Sequence, residues 1–214
     1  MRAIRIELRA LANISANIYA DHRTKFLSEQ KKAIYSLRNA LLSKYFDQSI
    51  TDEQILKSEH GKPYLANNHK LSFNHSHTRQ NYALAMSQQV QDIGVDLEEL
   101  NRKVRFESLA KHAFHDAELA IWQELDYDAE YWFKVWTTKE AVLKASGLGI
   151  RLNLNELNTN IHPNHDGGVC EHPQIGIFAF QNYQISGCML TVAWRSDYSC
   201  KGFALPHIEI HSAP

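Results

Sequence analysis

The sequence predicts an α+β fold built from two similar halves that are related by a pseudo-twofold axis. Its 214 residues are 44% hydrophobic and 22% charged, which suits a compact protein of one large domain or two small ones. In each half a helical pattern is followed by alternating strand patterns, and the join falls near residues 95–105. This order favours helices packed on small, mostly antiparallel sheets over a parallel βαβ sheet. We therefore predict one half at residues 1–98 and a second at residues 99–214.

The first half opens with a strand and a helix. In "AIRIEL", apolar residues alternate with polar ones, as in a strand with one buried face. Ser28 has the chemistry of an N-cap for "SEQKKAIYSLRNALLSKYF", in which apolar residues recur at helical spacing. Three further segments, "KLSFNHS", "NYALAMSQ" and "DIGVDLEE", show period-two alternation and predict a meander of three strands.

The second half begins with helices and ends with strands. Apolar residues three and four apart predict helices in "FESLAKHAF", "DAELAIWQEL" and "DAEYWFKVWTTKEAVLKAS". Gly147 and Gly149 end the last helix, and a long polar loop follows from about Asn153 to His172. Strand alternation returns in "IGIFAF", "YQISGCMLTVAW" and "GFALPHIEI".

Composition and charge narrow the possible functions. No apolar run approaches the roughly 20 residues that span a bilayer, and no opening segment has the pattern of a signal peptide. We therefore expect a cytoplasmic protein without a membrane partner. The formal net charge is -1, so the molecule has no overall basic field for nucleic acid, and any anion site must be local.

The cysteines and histidines match no metal motif. The chain has three cysteines at spacings that fit neither a zinc nor a redox site, and we expect reduced thiols, with Cys188 in a buried strand. The other two are Cys170 and Cys200. His75 and His77 could share one face of a strand, but a third ligand at motif spacing is missing, so zinc is the less favoured interpretation.

An acidic residue stands on an apolar face of the last predicted helix. At about 100° per residue, Glu140 falls between Phe133 and Trp136, and Lys144 lies at the edge of the same stripe. One interpretation is a surface i,i+4 ion pair, worth only about 0.2 to 0.5 kcal/mol. The other is that the stripe borders a cleft, because a buried carboxylate needs a metal or a partner charge.

The segment "GVDLEEL" could supply that partner. In a strand, Asp96 and Glu98 point to the same face, about 6 to 7 Å apart, while Leu97 points to the other. Two carboxylates on one face suit Mg²⁺, which prefers oxygen ligands. Gly94 leaves room for a ligand or another backbone to come close. The alternative is an ordinary charged strand edge.

A third stretch, "GKPYLANNHKLSFNHSHT", carries residue types that bind phosphate. Lys62 offers a point charge, and directed donors follow it in the sequence. These donors are Ser76, His77 and Thr78. The alternative is a polar hairpin whose side chains satisfy one another.

Four motifs occur together and in order. "GVDLE" at 94–98 fits G-[IV]-D-x-E, and about 40 residues later "WTTKEAVLKASG" at 136–147 fits W-x-x-K-E-[AS]-x-x-K-x-x-G. Upstream, "GKPYL" and "FNHSHT" fit G-K-P and F-N-x-S-H-[ST]. The set resembles the signature of the 4′-phosphopantetheinyl transferase superfamily, and the chain length is similar to that of its Sfp-type branch, in which two related halves lie on one chain.

This resemblance implies an enzyme that transfers the 4′-phosphopantetheine arm of coenzyme A to a serine of an acyl or peptidyl carrier protein, releasing adenosine 3′,5′-bisphosphate. It implies a monomer with coenzyme A in a cleft between the halves, and Mg²⁺ bound by Asp96, Glu98 and Glu140. Glu140 is the implied general base, and Lys144 the implied partner of the departing phosphate. The implied coenzyme A contacts are Lys62, Ser76, His77, Lys139 and Lys144.

The sequence departs from the family pattern at two places. His75 stands where an aliphatic residue is usual, and Ala113 replaces the first aromatic residue of the stretch that here reads "HAFHDAE". Glu118 is retained in that stretch, either as an assisting base or as a structural residue. Candidates for nucleotide contacts in the first helix are Lys31, Lys32 and Arg38.

Two alternatives to this activity stay open at the level of sequence. The same carboxylates could serve another Mg²⁺-dependent phosphoryl or phosphodiester enzyme. The chain could also be a non-catalytic protein that binds carrier proteins. Because carrier domains are acidic, a carrier would meet local basic residues, for which 102–111 is the candidate segment.

Overall fold

The computed structural model describes residues 2–11, 23–68, 70–196 and 205–213, and it shows an α+β fold. The strands of the first part are β1 (Ala3–Ala10), β2 (Ile55–Lys57), β3 (Pro63–Leu65), β4 (Ser72–His77), β5 (Asn81–Ser87) and β6 (Gly94–Glu99). The helices are α1 (Arg23–Phe46), α2 (Phe106–Ala113), α3 (Asp116–Glu124) and α4 (Ala129–Ser146). The remaining strands are β7 (Gly167–His172), β8 (Gly176–Ile185), β9 (Cys188–Arg195) and β10 (His207–Ala213). Among the described helices, none is long and apolar enough to cross a membrane.

Two four-stranded sheets and one short hairpin form the β structure. The first sheet has the order β10-β1-β5-β4, with β10 parallel to β1 and the other pairs antiparallel. The second sheet has the order β6-β9-β8-β7 and is antiparallel throughout. Strands β2 and β3 form the hairpin.

The period-two pattern of the strands stacks these elements into layers. Along β5, Ala83 and Ala85 face a core shared with the second sheet, whereas Leu84 and Met86 face a core that includes residues of α1. On the far face of the second sheet, Phe178 and other aromatic residues pack against α4. The helices therefore cover the outer faces, and the two sheets face one another.

Side chains of β4 join the first sheet to β6. Ser72 Oγ accepts a hydrogen bond from the backbone N–H of Ile93 at 3.1 Å, and Asn74 Oδ1 accepts one from that of Val95 at 3.0 Å. Such side chains satisfy an edge that would otherwise leave buried donors unpaired. The contact fixes β6, which carries Asp96, against β4.

Most predicted elements are confirmed, with three differences. The predicted meander of three strands is wrong: β4 pairs with β5, but β6 pairs with β9 in the second sheet. Period-two alternation identifies a strand but not the strand that it pairs with. The first helix begins at Arg23 rather than after Ser28, since no glycine or proline separates the two residues. Strand β7 lies within the segment predicted as a loop, because the edge of β8 pairs with it. Cys170 and Cys188 are buried free thiols, as expected, and Cys200 lies outside the described residues. The division into two similar halves stays a prediction.

Candidate functional site

Helix α4 carries the largest share of the candidate residues. Its N-terminus is capped by Asp128, whose carboxylate accepts a hydrogen bond from the backbone N–H of Tyr131 at 2.7 Å. It ends at Gly147, which adopts a left-handed conformation with φ of 74°. Between these ends most side chains are buried, so the helix lies inside the protein rather than on a solvated surface.

Strand β6 packs directly against the backbone of α4 at Gly94. A Cβ atom added to Gly94 would lie 2.0 Å from the carbonyl oxygen of Ala141 and 2.4 Å from the backbone nitrogen of Ala145. Only glycine allows this approach. The predicted role of Gly94, space for another backbone, is confirmed, and the contact brings the residues that follow it within reach of α4.

An ion pair connects these two elements. Lys144 Nζ lies 2.6 Å from Asp96 Oδ1, and it also donates to Ser76 Oγ at 3.1 Å and to the carbonyl oxygen of Val95 at 3.2 Å. Ser76 Oγ in turn donates to Asp96 Oδ1 at 2.9 Å. In the described part of the chain, Lys144 therefore pairs with a carboxylate on β6 rather than with Glu140 one turn earlier.

Glu140 lies in a cavity of about 270 Å³ beside this ion pair. The cavity is also lined by Lys62, His75, Leu143 and Lys144, so residues from distant parts of the sequence meet there. Burial raises the pKa of Glu140, the Asp96 carboxylate raises it further, and Lys144 opposes both effects. The carboxylate can thus hold a proton more readily than an exposed glutamate, as a general base requires.

Lys62 closes the same cavity from the other side. Its ammonium group donates to the carbonyl oxygen of Ala145 at 2.6 Å, near the C-terminus of α4. Burial lowers the pKa of Lys62 to about 8, against the opposing effect of Asp92. The GKP segment is therefore fastened to α4, and it places a second lysine beside Lys144 in the lining.

The other predicted residues are distributed around this centre. Glu98 lies two residues beyond Asp96 on the same face of β6 and forms an i,i+4 ion pair with Arg102. Burial raises the pKa of Glu98, the hydrogen bond from Arg102 opposes this, and the Asp96 carboxylate raises it further. His77 stands exposed at the end of β4 and does not line the cavity.

The structure does not bring Lys139 to the cavity. Its side chain is fully buried, and its ammonium group forms an ion pair with Glu118 at 2.7 Å. The neighbouring turns of α4 thus direct Lys139 and Lys144 to different surroundings. Sequence reasoning missed Asn74, which holds the backbone of β6; its alternation with Ser72 and Ser76 along β4 was the available signal.

The carboxylates offer an oxygen-only donor set of the kind that Mg²⁺ prefers. Asp96 Oδ2 is buried and has no hydrogen-bond partner among the residues that the structure describes, so it can meet a cation. The pKa values of both Glu98 and Glu140 are raised in part by Asp96, which means that the three charges are close enough to interact. Within the described ranges, no three such side chains already stand at metal-binding geometry. These residues fit a divalent cation chemically, and the cation would have to draw them together.

Comparison with known proteins identifies similar sequences. The family model described as "4'-phosphopantetheinyl transferase superfamily" matches residues 92–198. The 4′-phosphopantetheinyl transferase HetI of Nostoc sp. is 31% identical over 158 residues, which cover 72% of this chain and 64% of HetI. The 4′-phosphopantetheinyl transferase Sfp of Bacillus subtilis is 27% identical over 62% of this chain and 58% of its own length. AcpT of Escherichia coli K12, another 4′-phosphopantetheinyl transferase, is 32% identical over 44% of this chain and 49% of AcpT. The chain therefore spans less than two thirds of the length of each of these relatives.

Proposed function

Because this chain belongs to the 4′-phosphopantetheinyl transferase superfamily, we propose that it transfers the 4′-phosphopantetheine arm of coenzyme A to a serine of an apo carrier protein. The products are holo carrier protein and adenosine 3′,5′-bisphosphate. One observation carries the proposal: Lys62, Glu140 and Lys144, which lie in two separate family motifs, line a single cavity.

The charges of this cavity suit a pyrophosphate. Two lysine side chains, Lys62 and Lys144, line it, and lysine ammonium groups bind phosphate oxygens as point charges. Ser76 contacts Lys144 at 3.1 Å and can offer its hydroxyl to the same ligand. When a phosphate takes the place of the Asp96 carboxylate beside Lys144, the ammonium group exchanges one anion for another and stays paired.

The reaction needs a deprotonated serine and a neutralised leaving group. The carrier serine oxygen forms a bond to the β-phosphorus of coenzyme A, and the bond from that phosphorus to the bridging oxygen of the nucleotide breaks. Glu140 accepts the serine proton at its carboxylate, aided by a pKa that burial and Asp96 raise. Lys144 stabilises the negative charge that develops on the departing phosphate oxygen.

Asp96, Glu98 and Glu140 are the residues that would hold Mg²⁺, and the ion, when bound, would neutralise charge on the pyrophosphate oxygens. Within the described part of the chain, Asp96 has an oxygen without a hydrogen-bond partner for this purpose. Glu98 would give up its ion pair with Arg102 to bind the ion. Glu140 and Asp96 belong to different elements, which the close contact at Gly94 holds side by side.

The further parts of the proposal concern organisation and partners. The cavity is lined by Lys62 and His75 from the first predicted half and by Glu140 and Lys144 from the second, which supports a site in a cleft between two halves at 1–98 and 99–214. We include in the proposal that the protein acts as a cytoplasmic monomer. Its partners would be coenzyme A and an acyl or peptidyl carrier protein.

Mass spectrometry of a carrier protein tests the activity. Several apo carrier proteins are incubated separately with the protein, coenzyme A and Mg²⁺, and we expect one or more to gain the mass of one phosphopantetheine. Excess EDTA should prevent the gain, and Mg²⁺ added back should restore it. No gain on any carrier would reject the proposal; binding to a carrier without a gain would instead favour a non-catalytic carrier-binding protein.

A further inference from the structure

Helix α4 also carries one member of a buried ion pair, Lys139, whose side chain does not line the cavity. Lys139 Nζ is 2.7 Å from Glu118 Oε2, and the two side chains are 0% and 2% exposed. Two charges at this depth lose all contact with water, a loss that their mutual attraction balances only when every other hydrogen-bonding position is also satisfied. The surroundings of this pair meet that condition.

Each member of the pair also forms hydrogen bonds to other residues, and for Glu118 these include the N-cap residue of its own helix. Glu118 Oε2 accepts a hydrogen bond from the backbone N–H of His115 at 2.8 Å, and Oε1 accepts two from Thr159, at 2.9 Å from N–H and 2.5 Å from Oγ1. Lys139 Nζ donates to the carbonyl oxygen of Leu154 at 2.9 Å and to that of Leu157. Three parts of the chain thus converge: the start of α3, residues 154–159 and α4.

These contacts decide between the two roles open to Glu118. Both of its carboxylate oxygens are occupied, and the side chain is sealed from solvent, so it cannot take a proton from a substrate in the cavity. Lys139 is equally enclosed and cannot reach a pyrophosphate there. Both residues instead act on α4 itself.

We infer that the Lys139–Glu118 ion pair is a positioning device that fixes the rotation and depth of α4 and thereby places Glu140 in the cavity. Lys139 immediately precedes Glu140, about 100° away around the helix axis. The pair anchors α4 on one side, and the contact of Gly94 with Ala141 fixes it on another. This inference rests on the proposed function, because what α4 positions is the proposed base.

A double-variant cycle separates positioning from direct participation. Glu118→Gln and Lys139→Met each remove one charge at nearly constant volume, and each leaves the other charge buried without its partner. The double variant removes both charges. Since an isolated buried charge costs more than a neutral pair, the double variant should be less impaired than at least one single variant.

The assay compares wild type, both single variants and the double variant in four measurements: kcat, KM for coenzyme A, the dissociation constant of coenzyme A by calorimetry, and the urea midpoint. A matched control is Lys134→Met, which removes a buried α4 lysine whose partner Asp166 is exposed. We expect kcat to fall at least tenfold in Glu118→Gln and in Lys139→Met. In the double variant, kcat should be at least threefold higher than in the slower single variant. In the control, kcat should change less than twofold. Coenzyme A affinity should stay within threefold of wild type throughout.

Other outcomes overturn the inference. If the double variant is as slow as the slower single variant, at unchanged affinity, one member acts directly in the reaction. If Lys139→Met and the double variant both bind coenzyme A more than tenfold more weakly, Lys139 is a ligand contact. If the urea midpoints fall while kcat is unchanged in every folded variant, the pair is structural only. If the single variants do not fold but the double variant is folded and active, this result would support the inference. Wild-type protein that modifies no carrier would reject the proposed function, while the unfolding and binding data would still report on the pair.

Discussion

Substitution of Gly94 by alanine should displace α4 from β6. The new Cβ would lie 2.0 Å from the Ala141 carbonyl oxygen, whereas ordinary contact begins at 3.4 Å. The obstructing atoms belong to the helix backbone, so no side-chain rotation can relieve the overlap. The helix must therefore move by about 1.4 Å, and we expect a destabilisation of about 3 kcal/mol, at the upper end of the usual cost of overpacking.

The same displacement should impair the proposed reaction. Glu140 and Lys144 move with α4, while Asp96 stays with β6, and a misplacement of about 1 Å can lower a rate about 100-fold. The assays are urea unfolding followed by tryptophan fluorescence, using the four tryptophans of the chain, and kcat for carrier modification under conditions in which the variant is folded.

Gly187→Ala is the matched control. Gly187 has a φ of 73°, and among the described residues no atom lies within 4 Å of an added Cβ, so its substitution introduces backbone strain of about 1 to 2 kcal/mol without a steric contact. It should lower stability modestly and leave kcat unchanged. If Gly94→Ala unfolds at the wild-type urea concentration and retains full activity, β6 and α4 do not pack backbone to backbone, and the reasoning fails.

Three further predictions concern individual side chains. Glu140→Gln should remove most turnover without unfolding the protein, whereas Glu130→Gln, at an exposed position of the same helix, should not; near-normal activity of Glu140→Gln would exclude it as the base. Lys144→Ala should lower kcat far more than it raises KM for coenzyme A, as expected for an interaction made mainly in the transition state, and the opposite pattern would make it a binding residue. Burial lowers the pKa of His75 from 6.5 to about 3, and the positive charges of Arg38, Lys144 and His77 contribute to this shift. Because the folded protein keeps this side chain neutral, its contribution to stability is complete above pH 6.5. That contribution is lost as the pH falls towards 3, by up to about 1.4 kcal/mol per pH unit. Urea midpoints between pH 7.5 and 5 should therefore fall less steeply in His75→Gln than in wild type or in the exposed control His112→Gln, and parallel curves would contradict this.

The period-two and helical patterns of the sequence predicted the features that depend only on residues close together in the chain, such as the face of a strand to which a side chain points. Asp96 and Leu97 do point to opposite faces of β6, with Leu97 in the core between the sheets. Gly94 predicted a close approach, and the approach is that of α4. Such features follow from backbone geometry alone, so local sequence is sufficient to find them.

What a charged side chain contacts depends on the tertiary fold. The spacing of Glu140 and Lys144 suggested a pair within one helix, but Lys144 turns to Asp96, which lies on another element. The motif grouped Lys139 with Lys144, yet the segment at 154–159 and Glu118 enclose Lys139. A helical projection gives the direction of a side chain but not the element that faces it, and for this reason the sequence could not separate these two lysines.

The pairing of β10 with β1 has a consequence for how the chain folds. Residues near opposite ends of the sequence, such as Arg5 and Glu209, are partners in this ladder, so the first sheet acquires its edge strand last during synthesis. Contacts of such large sequence separation slow folding, because a long loop must close before they form. Until residues 207–213 have left the ribosome, β1 presents an open edge that could pair with other chains.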